Sequence, residues 1–390
     1  MRLFTERHYQ VFFLCFLFLY TSILVVYHIT GLSLMKGMAN MMAVTSIVYT
    51  LLSVFTHSFI YGVRKWPFFL LLLVVFFISI HTLINFGNTD FVDLLKFFSL
   101  FLFSFVGIGM RWQFFYIPRA LFYLMFLAPF FVEVLGGSKI YYSGVGFGFL
   151  PNNNTAVMYY VVLISIFLSQ YKKDSRYSIS FALVAILFQK LGSILSVAFS
   201  LIFVYFNKVF KYLPIIFISS SILFFFFYYF GFLDRIFEVL GGLLELYTYN
   251  SISDVSSMSY GQIAIELGST DLSAVFRMKH WSEILSYYQS LGFSNYLFGF
   301  GARYSMIVTT EGLMPHSDII RVLCELGLLL FVLFLTLYFY LYTNLKCVHL
   351  KTALLVVFLY YFTENLIDNF ISMYLLHLIV GSNSFENNNG

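Results

Sequence analysis

Apolar runs long enough to cross a bilayer follow one another along this chain and are interrupted once. They lie near 9–27, 38–60, 67–84, 91–110, 114–135, 154–170, 177–189, 191–206, 213–231, 316–343, 350–365 and 368–382. A spanning helix needs roughly twenty residues, so the pattern predicts an all-α polytopic membrane protein of about twelve transmembrane helices, ten to twelve when the short runs are paired. From Phe232 to Gly312 no such run occurs. The chain therefore divides into an N-terminal membrane domain of about nine helices over 1–231, one large loop over 232–315, C-terminal membrane helices over 316–382 and a tail over 383–390. The tail is rich in Asn and is expected to be disordered. With 61% hydrophobic and 10% charged residues, a water-soluble domain of this length is excluded.

Placement of the basic residues orients the spans, because cytoplasmic loops carry the excess of Lys and Arg. Arg2 and Arg7, Arg64 and Lys65, Arg111 and Arg119, Lys172, Lys173 and Arg176, Lys208 and Lys211, and Lys346 and Lys351 fill every second loop. Both termini are thus expected in the cytoplasm and the large loop outside, in the periplasm of a Gram-negative cell. The first apolar run has no small-residue cleavage site and reads as a retained span. Cys15, Cys324 and Cys347 lie in or beside apolar segments and read as small hydrophobes without a disulfide framework.

Within the large loop, Phe232 to Leu246 reads as a short amphipathic helix and Asn250 to Ser259 as coil. Ser273 to Ser290 reads as a helix, with Met278, Trp281, Leu285 and Tyr288 as its apolar stripe and Arg277 and His280 off that stripe. Lys279 and Glu283 read as a surface pair.

Several chemistries drop out. There is no Walker loop, no His-Glu-x-x-His, no Gly-x-Ser-x-Gly and no close acidic pair in an outer loop. ATP-driven work, metal-assisted transfer and serine hydrolysis are left without their residues, and neither a cofactor, a metal nor a nucleic-acid partner is expected. What remains is a set of outer-face cations with one well-placed histidine. Arg235, Arg277, Lys279 and Arg303 sit in the loop, and Arg321 lies one turn inside the following helix. Guanidinium groups recognise phosphate bidentately, and a cluster at the membrane surface suits a lipid-linked pyrophosphate. His316 follows Pro315 at a helix N-terminus, where the dipole favours the neutral imidazole a general base needs. Asp318, Arg321 and Glu325 share one helix face. They are either functional or an ion pair that locks helix ends. Gly144, Gly146 and Gly148, followed by Asn152, Asn153 and Asn154, read as a flexible outer loop with polar groups toward sugar.

Arg277 with Trp281, then Tyr296-Leu-Phe-Gly299-Phe-Gly301, then His316-Ser-Asp-Ile-Ile-Arg-Val-Leu-Cys-Glu325-Leu-Gly327 resembles the C-terminal signature of the O-antigen ligase and Wzy-type polymerase superfamily. Gly148-Phe-Leu-Pro-Asn152-Asn-Asn154 resembles a second feature of that family. The resemblance implies transfer of glycan from undecaprenyl pyrophosphate at the outer face of the bacterial inner membrane, without metal or nucleotide. It implies that Arg277, Arg303 and Arg321 bind the pyrophosphate and that His316 is the base. Glu325 and Asp318 then support the helix geometry, and Asn152 and Asn154 support the site. The expected partners are the lipid-linked oligosaccharide, membrane lipids, a chain-length regulator and a flippase. His316-Ser317 stands where the ligase branch shows His-Asn, and the family's earlier Ser-Arg pair is absent. Both departures lean toward an O-antigen polymerase. The alternatives are a ligase joining glycan to lipid A-core and, in a different class, a flippase of the lipid-linked unit. A flippase would place its cations between helices, away from an outer loop.

Overall fold

The computed structural model describes residues 6–56, 65–110, 115–140, 146–171, 174–188, 191–206, 258–267, 273–310 and 312–385, with scattered positions between 207 and 257. The apolar run at 213–231, the helix expected over 232–246, the coil expected over 250–259, and Lys190 and Arg235 lie wholly or almost wholly outside the described residues.

Among the described residues the protein is all-α. The helices are α1 (Glu6–Thr30), α2 (Ser33–Thr56), α3 (Lys65–Ile84), α4 (Phe91–Gly109), α5 (Arg119–Val134), α6 (Asn153–Tyr171), α7 (Ile179–Leu187) and α8 (Leu191–Val204). They continue as α9 (Tyr260–Leu267), α10 (Ser273–Ser290), α11 (Phe293–Phe298), α12 (Ser305–Val308), α13 (Asp318–Glu325), α14 (Gly327–Asn344), α15 (Val348–Tyr360) and α16 (Phe370–Phe385). The helices α1, α2, α4, α6 and α14 are long and apolar enough to cross a membrane, and α3, α8, α15 and α16 contain shorter apolar helices. Many large hydrophobic side chains, such as Met41, Phe76, Leu83, Phe130, Phe203 and Phe339, point outward. In water such a surface would drive aggregation, and in lipid it is the ordinary contact face. The chain is a membrane protein.

At the centre α4 lies against α16. Ile371 to Val380 are buried along nearly every side of α16, the pattern of a helix surrounded by other helices. The two backbones touch at Gly107 and Gly381. A Cβ on Gly107 would run into the carbonyl of Leu378, and one on Gly381 into the carbonyl of Ser104. Small residues at a crossing permit that approach where no hydrophobic effect operates between helices. The helix also continues to Phe385 with Ser382 and Ser384 buried. The expected tail therefore starts later than Asn383, because this stretch is packed inside the bundle.

Loop contacts sort into two ends. At one end His28 Nδ1 meets Ser138 Oγ at 2.7 Å, the Asp90 N–H donates to the Ala302 carbonyl at 3.0 Å, and the Asp318 N–H donates to the Glu364 carbonyl at 3.2 Å. At the other, the Tyr171 hydroxyl donates to the Ile117 carbonyl at 2.8 Å and Ser178 Oγ meets His349 Nδ1 at 2.8 Å. Arg119 lies over the Tyr171 ring and Lys351 over the Tyr342 ring at this second end. The described loop contacts thus fall into two groups, one at each end of the bundle.

The run expected as one span over 316–343 is broken. Helix α13 stops at Glu325, Leu326 caps it, and α14 starts at Gly327, whose φ of +89° is closed to ordinary side chains. The segment 297–301 crosses there. The Phe300 N–H donates to the Cys324 carbonyl at 3.2 Å and the Gly301 N–H to the Glu325 carbonyl at 3.0 Å. A Cβ on Gly327 would strike the Gly299 nitrogen and the Leu297 carbonyl. The short helix α13 is therefore separate from Gly327–Asn344, the helix long and apolar enough to cross a membrane. Gly327→Ala is expected to cost about 2 kcal/mol or more, from left-handed strain plus that collision. Gly37→Ala, in α2 with nothing within 4 Å of the added methyl, is expected to gain up to about 1 kcal/mol. Thermal unfolding in detergent compares the two.

Candidate functional site

Above the bundle, Ile284, Tyr288, Phe300 and Cys324 form a second, smaller core, with Leu285, Tyr287, Tyr304, Ile320 and Leu323 against it. With the Tyr288 and Tyr296 rings stacked at 4.9 Å, it unites α10, α11 and α13 into one unit, so α10 is docked on protein. The bounds of α10 agree with the helix that periodicity predicts, but its buried side does not. His280, Ile284 and Tyr288 are buried and Met278 is exposed, so the inner face is rotated toward Arg277 and His280. The reason is the partner: a protein surface with polar groups accepts His280 and Lys279, which a purely apolar surface would not. Lys279 and Glu283 do pair, Nζ to Oε1 at 3.0 Å, but Lys279 is buried and no surface residue.

The segment 303–316 returns along α10. The Tyr304 ring lies 6.5 Å from that of Tyr287, and the Thr310 hydroxyl donates to Glu283 at 2.8 Å. His316 then arrives beside Arg277 and His280, whose charges act on it. The imidazole is exposed to solvent, yet the protein around it holds its pKa below the usual histidine value, first by partial desolvation and then through Arg277 and His280. Such a ring is neutral at neutral pH and has a free nitrogen lone pair.

Arg277 donates from Nη2 to Glu364 Oε1 at 3.1 Å, and the same oxygen accepts from Asn154 Nδ2. The structure thus brings Arg277, His316 and Asn154 together through a residue the sequence did not single out. Glu364 is 3% exposed, whereas the Arg277 side chain is 30% exposed. Asn152 is not directed at a ligand: Oδ1 accepts from the Thr155 N–H at 2.8 Å and caps α6. The loop before it is pinned at Gly148, whose N–H donates to Glu133 Oε1 at 2.5 Å and whose backbone packs on Pro129. Positions 141–145 of that loop lie outside the described residues.

Arg303 and Arg321 belong to a second group. Tyr287, opposite Tyr304, lies ten residues along α10 from Arg277, roughly 15 Å of helix. Arg303 has a φ of +65°, donates from Nη1 to Asp90 Oδ2 at 3.2 Å and from its backbone N–H to Glu325 Oε2 at 2.8 Å. Glu325 also accepts from the Ser305 hydroxyl. It therefore fixes the 301–305 turn that presents Arg303, whose side chain is 48% exposed.

Arg321 is buried among four carboxylates. It reaches Asp318 and Asp368 at 3.0 Å, Asp93 at 3.4 Å and Glu325 at 3.9 Å. Lys96 joins Asp93 at 2.8 Å and Asp368 at 2.6 Å. Asp318 further accepts the N–H groups of Leu366 and Ile367 at 2.5 and 2.9 Å. A cation so surrounded has no need of a phosphate and would have to abandon buried carboxylates to meet one. The structure thus favours the ion-pair reading of Arg321 and Asp318. A cavity of about 20 Å³ lies against Asp93, Arg321 and Glu325, a volume suited to one water. All three cysteines are free.

Sequence reasoning passed over Asp93, Lys96, Glu364 and Asp368. Their signal was present, as charges inside or between apolar runs, which lipid makes costly. Compared with protein-family models, with curated proteins and with solved structures, the chain gives no match.

Proposed function

We propose that this membrane protein transfers an oligosaccharide from a polyprenyl diphosphate carrier to a sugar hydroxyl, as O-antigen polymerases do. One observation carries the reading: an exposed His316, its pKa held below the usual value, beside a partly exposed Arg277 at one polar end of an apolar bundle. A guanidinium suits a diphosphate leaving group, and a neutral imidazole suits the hydroxyl proton. The acceptor oxygen bonds to the anomeric carbon as the bond from that carbon to the diphosphate oxygen breaks. The bonding pair leaves with the diphosphate, where Arg277 stabilises the added charge. The proton passes to His316. Attack opposite the leaving group inverts the anomeric centre. Lipid anchorage of both substrates raises their local concentration at this surface.

In this reading the end carrying Arg277 faces the periplasm of a bacterial inner membrane, and 258–317 belong to the large outer loop between about twelve spans. The basic side chains Arg119 and Lys351 at the opposite end support that orientation. Arg303 meets the same surface, but not the same phosphate as Arg277. The test is a deletion strain complemented with variants. Arg277→Ala is expected to leave glycolipids with a single repeat unit, with transfer by purified protein reduced by about 10²-fold or more. Full-length glycan ladders from that strain would sink the proposal.

A further inference from the structure

Resting on the donor site proposed above, we infer that Glu364 is its positioning residue, holding Arg277 by its carboxylate and the His316-bearing turn by its main chain. Three separated segments meet on this one residue. The side chain takes Arg277 Nη2 from α10 at 3.1 Å and Asn154 Nδ2 from α6 through the same oxygen. Its carbonyl accepts the Asp318 N–H at 3.2 Å, two residues after His316. The neighbouring Tyr361 carbonyl accepts from Ser317 Oγ at 3.2 Å and from the Ile319 N–H at 3.3 Å. The connector between α15 and α16 therefore sets the distance from guanidinium to imidazole.

The contact with Arg277 is one nitrogen on one oxygen. A fork-to-fork pair would occupy two N–H groups and satisfy the guanidinium on that edge. The single contact fixes the group's position and leaves further N–H donors to a diphosphate. The contrast with Arg321, set among four carboxylates, separates a cation that is held from one that is consumed. Burial of Glu364 beside a more exposed Arg277 has the matching sense. The carboxylate stays in the protein while the cation meets the ligand. Pre-organised geometry of this kind contributes to binding because the ordering cost is met before the ligand arrives.

The test uses the full chain in lipid nanodiscs, with a synthetic polyprenyl diphosphate oligosaccharide as donor, and reads KM and kcat separately. Glu364→Ala is expected to raise KM for the donor about tenfold, the equivalent of one charge-assisted hydrogen bond. Glu364→Gln keeps an acceptor oxygen for Arg277 and is expected to stay within about threefold of wild type. Asn154→Ala is expected to raise KM in the same direction by a smaller factor. An unchanged KM in Glu364→Ala with the thermal unfolding temperature preserved overturns the inference. So does a loss in Glu364→Gln as large as in Glu364→Ala. Should Glu364→Ala fail to fold, an unchanged KM in Asn154→Ala with a Glu364→Gln defect confined to kcat overturns it. A wild-type KM in Arg277→Ala, or no turnover of this donor by wild type, overturns the donor site itself.

Discussion

Replacing His316 by alanine is expected to lower glycan transfer by about 10²- to 10⁴-fold, the usual contribution of a positioned base, with the protein still in the membrane. His316 is exposed and contributes little to packing, so the loss falls on chemistry and leaves stability nearly unchanged. The pH dependence sharpens the test. The protein environment, then Arg277 and His280, hold the imidazole below its usual pKa. The neutral form is the working form, so the rate should persist as pH falls to the ordinary histidine value and decline only below it. Removing Arg277 takes away one of the charges that depress the pKa, so in Arg277→Lys against Arg277→Ala the acid limb should lie at higher pH in the alanine variant. Initial rates across a pH series at saturating donor measure this. An acid limb that ignores both His316 and Arg277 would remove His316 as the base.

Arg321→Ala is expected to destabilise the fold by about 3–5 kcal/mol, the range found when one partner of a buried ion pair is removed. Asp93, Asp318, Asp368 and Glu325 would then be left with Lys96 as the cation among them. The pH dependence has a definite sign. Burial already pushes Asp318 up to about 7 against the pull of Arg321. Without Arg321, Asp318 and Glu325, both already raised by burial, rise further. A carboxyl whose folded pKa lies above its unfolded value takes up its proton first in the folded state, so stability grows as pH falls from the former toward the latter. The variant's deficit should therefore shrink on acidification from neutral pH toward about 5. Thermal unfolding of purified protein at a series of pH values checks it. A variant as stable as wild type at neutral pH would show that the cluster is not held by this charge.

Much of the frame was legible because lipid leaves so little choice. A run such as Phe91–Gly109 announces its helix by length alone, and Ser273–Ser290 by its period. What a helix faces was less legible. Period identifies a stripe of residues but not the surface they meet, so Met278 was expected inside and His280 outside, and the structure has the reverse. Motif glycines were visible as letters, while the crossing of Gly299 and Gly327 needs two segments brought together. Arg277 and His316 could be singled out for their chemistry. Glu364 is visible as a charge between apolar runs, but its role is not, since its partners Asn154 and Arg277 are 210 and 87 positions away. Asn152 and Arg321 show the converse: residues fit for ligand contact by type, but occupied by a helix cap and by neighbouring carboxylates.

The placement of α16 at the heart of the bundle bears on how a cell builds this protein. Ribosomes release α4 into the membrane long before residues 370–385 exist, so the Gly107 crossing has no partner during most of translation. Until then α4 must dwell in lipid or against a chaperone with Asp93 and Lys96 near its N-terminal end. Maturation is thus a late docking event, and shortening the chain before Gly381 should expose a half-assembled bundle to membrane proteases instead of yielding a slightly weakened protein.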